Sequence, residues 1–538
     1  MKGERVGSWF QNTMLLMVLA AIPFWWTSCA VQQSLIGTQK PVSPLQQFRW
    51  QLDRILQDTV LHQTRTGIKI VSLETGEVLY QQNSQKLFHP ASNMKLLTTA
   101  AALKYLGPNY RFRTVLLADS GSVVDTVVEG NLYLKGFGNP DMTTIDLREI
   151  IQELKRQGIR RIAGNLICDA SFFDDLYWGK GWMWDDVSSW YFAPISALSV
   201  NGNCVTVYVK PGSSPGEPLQ VEVDPPTAYV TIANQGRTVA LKDTSNPTLL
   251  KVQRKWKTAE NTIVVEGSLP VGAPIQKFVI DVVNAPLYVG TLFKELLVQD
   301  SVIFQGEVMQ GKAPRNAVPL VTHLSDPLTL VIYHTNKVSD NFSAEMILKT
   351  LAAERKGAPG TAEHGVAIIR QYLHQLGVDS TSYQIVDGSG VSRYNLVTPD
   401  LMIALLQDMY QDFRFQAEFQ TSLPIAGVDG TLRERMRGTP AQGVLRAKTG
   451  TLSGVSALAG YTTTADGEPI AFSVIMEHFV GSAARVRKVQ DRIGSVISAF
   501  SRKRPWRVQY TDHPTGFDRG RGQPARWLPD QQSRAGEP

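Results

Sequence analysis

The stretch His89-Pro90-Ala91-Ser92-Asn93-Met94-Lys95 decides how the rest of the chain is read. Pro90 precedes a mostly apolar run (Leu96, Leu97, Ala100, Ala101, Leu103 to Tyr105), and Gly107-Pro108 ends it, which is the punctuation of a helix. Residues three apart share a helix face, so Lys95 can reach the Ser92 hydroxyl. The positive helix N-terminus favours alkoxide character on Ser92. Alone, Ser-x-x-Lys is commonly a serine cap followed by a solvated lysine. Two further elements stand downstream in order, Ser339-Asp340-Asn341 and Lys448-Thr449-Gly450, and together the three outweigh that bland reading.

Each element offers a defined piece of chemistry. Ser92 is inert at neutral pH unless a base takes its proton, and Lys95 is placed to do so. That requires a lysine pKa well below about 10, which burial and a neighbouring cation, Lys448, would both favour. The Ser339 hydroxyl can relay a proton to a leaving amine, and the Asn341 amide can orient Lys95 or a substrate backbone. Lys448 and Thr449 can hold a carboxylate, and Gly450 lets a substrate lie close to its strand. The backbone N–H groups of Ser92 and Thr451 are candidates for an oxyanion hole.

A chain of 538 residues suggests two to four domains, and 43% hydrophobic with 19% charged residues is ordinary for a globular protein. The net charge of +6 is mild. Apart from Arg502 to Arg507 in the tail, no Lys/Arg run interleaves with aromatics, which argues against nucleic acid. A basic surface suits an anionic wall polymer. Residues 1–30 read as an export signal: Lys2 and Arg5 precede the apolar run Met14 to Trp26, which is short for a membrane span. Ser28-Cys29-Ala30 fits either a lipoprotein junction with Cys29 lipidated or a cut after Ala30, and a retained anchor is the third option. The expected location is the periplasm, with or without a lipid anchor. Cys168 and Cys204 could pair in an exported chain or remain buried thiols.

Along the chain, residues 31–44 read as a linker and 45–61 as a helix. Gly67 to Leu73 and Glu77 to Gln81 read as strands around a turn. Residues 45–110 form the first part of a catalytic domain. Residues 111–285 are rich in β-branched runs and turns, with one helix at Asp146 to Gln157, and form an inserted, mainly β region of one or two subdomains. Trp178, Trp182, Trp184 and Trp190 crowd one stretch of it, a cluster expected to pack rather than to present a sugar platform. Residues 286–501 return to helices and then strands, Gly443 to Thr449, Ser456 to Thr462 and Ile470 to Met476, and close on a helix through Val486 to Phe500. From 502 to 538 the composition is that of a disordered tail. The fold class is α+β, an antiparallel sheet flanked by helices and split by an insertion.

Competing chemistries lack their motifs. No Gly-x-Ser-x-Gly stands at a strand-to-helix elbow, since Gly212-Ser213-Ser214-Pro215-Gly216 lies between two β-branched runs, and there is no His-Glu-x-x-His. Gly306 to Lys312 has phosphate-loop spacing, but Ala313 replaces the required Ser or Thr. The eight histidines show no metal-ligand spacing.

Longer stretches carry a family resemblance. Pro90-Ala91-Ser92, Asp387-Gly388-Ser389-Gly390-Val391-Ser392-Arg393-Tyr394-Asn395, Leu423 to Leu432, and Leu445 to Thr451 with Gly460-Tyr461 resemble the class C low-molecular-mass penicillin-binding proteins, which are D-alanyl-D-alanine carboxypeptidases and endopeptidases. Leu134 to Pro140 is similar to the start of their insertion, with Asn139 where Asp is usual. Glu477-His478 stands where an uncharged residue is expected. The resemblance covers roughly residues 45–500. It implies a serine β-lactamase/transpeptidase-like fold and attack of Ser92 on the amide before a terminal D-alanine of a peptidoglycan stem. It further implies an acyl-enzyme that water hydrolyses, cleavage of D-alanyl cross-links by the same chemistry, and acylation of Ser92 by β-lactams, with no metal or organic cofactor. Two alternatives stay open. A class A β-lactamase would need a Glu-x-x-x-Asn segment, absent between residues 342 and 420. A wall-binding scaffold would not need Ser92, Lys95, Ser339, Asn341, Lys448 and Thr449 all intact. The insertion is open to three roles: binding stems, restricting access, or making a homodimer.

Overall fold

The computed structural model describes residues 42–184, 189–240 and 249–503. The expected signal, Cys29 and the tail from 504 lie outside the described residues. A five-stranded antiparallel sheet runs in the order Val78–Gln82, Arg65–Ser72, Pro469–Glu477, Val455–Thr463, Arg446–Leu452. The first strands of the chain therefore pair with its last, Arg65 opposite Glu477. Side chains alternate across a strand. Ala457, Ala459, Tyr461, Ala471 and Ile475 consequently face one helical layer, while Leu458, Ile470, Phe472, Val474 and Met476 face the other. The first layer holds the helices Met94–Leu106, Leu328–Lys337, Asn341–Lys356, Ala362–Gln375 and Pro399–Gln411. The second holds Pro44–Leu56 and Ala483–Ala499.

Met94–Leu106 is buried from Met94 through Leu103, which explains an apolar run with no polar face. Gly107, at φ 85, stops it. The first helix is shorter than its sequence pattern. Ser43 and Gln46 form a capping box at its start, and it ends at Leu56, with a separate single turn at Thr59–Leu61 capped by Asp58. At the other end, Arg502 is ion-paired to Glu468 and Glu77 and its backbone N–H bonds Asp466. Arg502 and Lys503 are thus tied to the catalytic domain, although the tail was expected to begin at 502.

The insertion hangs on two paired strands, Arg111–Ala118 and Val318–Pro327, with Arg111 opposite Pro327. Its exit and return lie side by side, which lets a core of its own form outside the catalytic layers. That core packs a second five-stranded sheet against the helices Thr144–Arg156 and Ala285–Gln299. The expected boundary at 285/286 therefore moves. Tyr288, Val289, Leu292, Phe293, Leu296 and Leu297 face the inserted core, and the chain regains the catalytic layers at Leu328. Residues 123–128 form a short hairpin turned at Asp125, φ 51. Further small sheets formed by residues 204–281 complete the insertion.

Candidate active site

Ser92 sits in the single turn Ala91–Asn93 that runs into Met94–Leu106. Ala91 holds φ 47 there, a left-handed conformation a Cβ disfavours. The turn is pressed from two sides. A Cβ on Gly390 would lie 1.9 Å from the Ala91 carbonyl oxygen, and one on Gly450 would lie 2.8 Å from the Pro90 oxygen and 3.0 Å from the Ser92 nitrogen. These two glycines are required by close backbone approach.

Lys95 is fully buried. Its Nζ lies 3.0 Å from Ser92 Oγ, 2.6 Å from Asn341 Oδ1 and 2.7 Å from the Ser389 carbonyl oxygen. Burial lowers its pKa to about 8, against the opposing pull of Asp340, Asp387 and Glu345. Lys448 is also fully buried and donates to Ser339 Oγ at 2.8 Å and to the Thr449 carbonyl at 2.9 Å. Burial and the Lys95 charge hold it well below the ordinary lysine value. Ser339 adopts φ 65, and Thr449 Oγ1 donates to Thr431 Oγ1 at 2.7 Å. The structure thus gathers Ser92, Lys95 and Asn341 in one hydrogen-bonded set and Lys448, Ser339 and Thr449 in a second, the two coupled through the charges of Lys95 and Lys448. Gly450 and Thr451 lie on the adjoining strand, Arg446–Leu452, where Thr451 pairs with Ser456. Asp340 does a separate job: it caps the helix Asn341–Lys356, accepting from the N–H groups of Phe342 and Ser343 at 3.1 Å each.

Several residues around this group were not among the expected site residues. Glu345 Oε1 accepts from the N–H groups of Gly388 and Ser389 at 2.9 and 2.7 Å. Asp387 accepts from Gly390 N, Ser392 N, Asn395 Nδ2 and Trp182 Nε1 at 2.9, 2.7, 2.6 and 3.1 Å. Two buried carboxyls thus fold the 387–395 loop so that the Ser389 carbonyl meets Lys95. Burial raises both, Glu345 to about 7. Glu345 stands four residues after Asn341, one helical turn on the same face, which is the signal that could have revealed it. Trp182 and Tyr191 come from the insertion, and Asn341 Nδ2 donates to the Tyr191 carbonyl at 3.1 Å. Glu477 does not face a substrate. It is 2% exposed and accepts from His89 N at 3.0 Å, with His89 Nδ1 at 2.8 Å and Arg65 at 3.3 Å. Its charge clamps the approach to Ser92.

Neither remaining cysteine is bonded; Cys168 and Cys204 are free and buried. Among the described residues, Asp146, Glu149 and His323 of the insertion are near enough to share an ion. They come from a helix and a distant strand, a grouping that local spacing conceals. His323 Nε2 is 3.4 Å from Asp146 Oδ1, a direct contact that itself draws these side chains together.

A three-layer fold around an antiparallel sheet, with Ser92 and Lys95 at its central helix and Lys448 on its edge strand, is the serine β-lactamase/transpeptidase-like architecture. Residues 48–498 match the D-Ala-D-Ala carboxypeptidase 3 (S13) family. A D-alanyl-D-alanine carboxypeptidase of Actinomadura sp. (strain R39) is 36% identical over 471 residues, 85% of each chain. The D-alanyl-D-alanine carboxypeptidase DacB of Haemophilus influenzae is 29% identical, covering 76% of this chain and 84% of that one. The crystal structure of penicillin binding protein 4 from the same organism superposes with a TM-score of 0.73 at 27% identity, over 82% of this chain and 98% of that one. The chain belongs to the S13 family of D-Ala-D-Ala carboxypeptidases, serine hydrolases of the penicillin-binding class.

Proposed function

We propose that Ser92 is the nucleophile and Lys95 its base in cleavage of the terminal D-alanine from peptidoglycan stems. The observation that carries this reading is the contact of 3.0 Å between Ser92 Oγ and a buried Lys95 with a pKa of about 8. Neutral Lys95 takes the Ser92 proton as Oγ attacks the penultimate D-alanine carbonyl. The N–H groups of Ser92 and Thr451 receive the oxyanion. A proton reaches the leaving D-alanine amine through Ser339, which Lys448 contacts. Lys448 and Thr449 hold the terminal carboxylate, and Asn341 fixes Lys95. Water then hydrolyses the acyl-enzyme, releasing the shortened stem. Cross-linked stems present the same D-alanyl amide, so endopeptidase cleavage uses the same steps. β-Lactams acylate Ser92 as mimics of the dipeptide. This chemistry belongs outside the cytoplasmic membrane, in keeping with an export signal at 1–30 and either lipidation at Cys29 or cleavage after Ala30.

Intact-mass spectrometry after incubation with benzylpenicillin, with peptide mapping, tests this reading. A stable adduct on Ser92, absent in Ser92→Ala, is expected, together with release of D-alanine from a D-Ala-D-Ala peptide. Rapid penicillin consumption without an adduct would point to a β-lactamase instead. No adduct and no consumption would leave a wall-binding scaffold.

A further inference from the structure

An aromatic strip of the insertion borders the candidate active site. It is tied down on both flanks: Trp182 Nε1 donates to Asp387 at 3.1 Å, and the Tyr191 carbonyl accepts from Asn341 at 3.1 Å. Gly181 lies against Ser392 and Tyr394 of the 387–395 loop; a Cβ there would meet both within 2.7 Å. Trp182 and Trp178 pack on Phe192, as a packing cluster should. Four rings there nonetheless keep exposed area. Trp184 is 68% exposed, Tyr394 53%, Trp190 42% and Trp178 41%. Trp184 packs on Trp256 with ring centroids 5.6 Å apart, and Trp190 sets its ring edge-to-face against Tyr191. Exposed indoles grouped on an anchored segment leave apolar area in water that a ligand can cover.

We propose that Trp184 and Trp190, with Trp178 and Tyr394, form a saccharide-stacking subsite for the glycan to which the peptide stem is attached. The proposal rests on the D-alanyl carboxypeptidase reading of the same site. Three considerations favour a sugar over other occupants. The substrate's stem is covalently joined to a saccharide, and the four residues between the sugar and the scissile amide reach only roughly 13–14 Å when extended. A glycan must therefore lie near the rim of the site. Successive hydrogen bonds, Tyr191 O to Asn341, Asn341 to Lys95 and Lys95 to Ser92, place this strip at that rim. The exposed surfaces are uncharged rings, which suit the apolar faces of a pyranose, whereas the carboxylates of a stem would call for cations.

The test compares hydrolysis of one D-Ala-D-Ala stem with and without its disaccharide by the full chain. A KM about tenfold lower for the saccharide-bearing substrate is expected. Trp184→Ala and Trp190→Ala should erase that advantage, with kcat/KM on the bare peptide kept within about twofold. Trp190→Phe should restore part of it. In parallel, a peptide-free glycan titrated onto the protein should quench tryptophan fluorescence, and Trp184→Ala with Trp190→Ala should abolish the quenching. Equal KM for both substrates, equal losses on both, or dimerisation through Trp184 and Trp190 without glycan binding would overturn the proposal. If neither substrate is cleaved, the carboxypeptidase reading fails, and the glycan titration alone decides the subsite.

Discussion

Acylation of Ser92 should follow the titration of Lys95, and Glu345→Gln should move that titration. With a pKa of about 8 rather than the ordinary 10.5, about one Lys95 in eleven is neutral at pH 7, roughly 300-fold more than for an unperturbed lysine. The second-order rate constant for acylation by benzylpenicillin should therefore rise about tenfold per pH unit below 8 and level off above it. Glu345 favours the ammonium form of Lys95 when ionised, and burial pushes its own pKa to about 7. Above pH 7 its negative charge holds protons on Lys95; below pH 7 the charge is mostly gone. Glu345→Gln keeps an oxygen for the Gly388 and Ser389 N–H groups. The variant should thus run ahead of the parent between about pH 7 and 8, converge with it at lower pH, and share its plateau within about threefold. The readout is intact-mass or stopped-flow acylation from pH 5.5 to 9.5. A flat parent profile would refute Lys95 as the base. Coincident profiles, or an inflection moved upward, would refute the role given to Glu345.

Three further predictions concern geometry and stability. Gly450→Ala places a Cβ 2.8 Å from the Pro90 oxygen; penicillin acylation should fall about 100-fold or more as the Ser92 turn is displaced, and a near-normal rate would show that the turn can yield. Arg254 and Asp281, 1% and 0% exposed, form a two-pronged pair at 3.0 and 2.9 Å. Arg254→Met removes the two-pronged partner of a buried carboxylate and should destabilise the chain by ~3–5 kcal/mol in urea unfolding, with Arg254→Met/Asp281→Leu recovering most of it; an equal loss in both would assign the effect to packing. Ellman's reagent should find Cys168 and Cys204 unreactive in the native protein and both reactive on unfolding without reductant, since burial pushes Cys168 up to about 12; a requirement for reductant would show a disulfide.

The catalytic core was legible because its signals are local. The mostly apolar helix after Ser92, the three short motifs and the turn-bounded strands each declare themselves within about ten residues. The insertion boundary was not. The apolar pattern of Ala285–Gln299 is the same whichever core it joins, and only its packing against the inserted sheet decides. The first helix was overread because apolar spacing continues through Val60, while Asp58 closes a separate turn. Glu477, standing where an uncharged residue is expected, is an inward clamp on His89 and Arg65. Trp182 and Tyr191 stand 205 and 150 positions from the groups they bond. No periodicity carries information over that range.

Those two long-range bonds bear on what the insertion is for. Asp387 has four donors, and one of them, Trp182, is inserted chain. Asn341 holds Lys95 with its oxygen and the Tyr191 carbonyl with its nitrogen. Removing the insertion would leave the 387–395 loop short of a donor to a buried carboxylate. It would also free Asn341 to rotate, loosening the two acceptors that fix the Lys95 ammonium besides Ser92. A buried group deprived of a partner costs about 1–3 kcal/mol, and a lysine whose pKa depends on burial regains its proton when water enters. Trp182 and the Tyr191 backbone, rather than the exposed rings beside them, therefore hold the groups that fix Lys95. A chain in which Arg111–Pro327 is replaced by a short turn should fold its central sheet yet acylate slowly at neutral pH, with the inflection of its pH profile displaced toward that of an ordinary lysine.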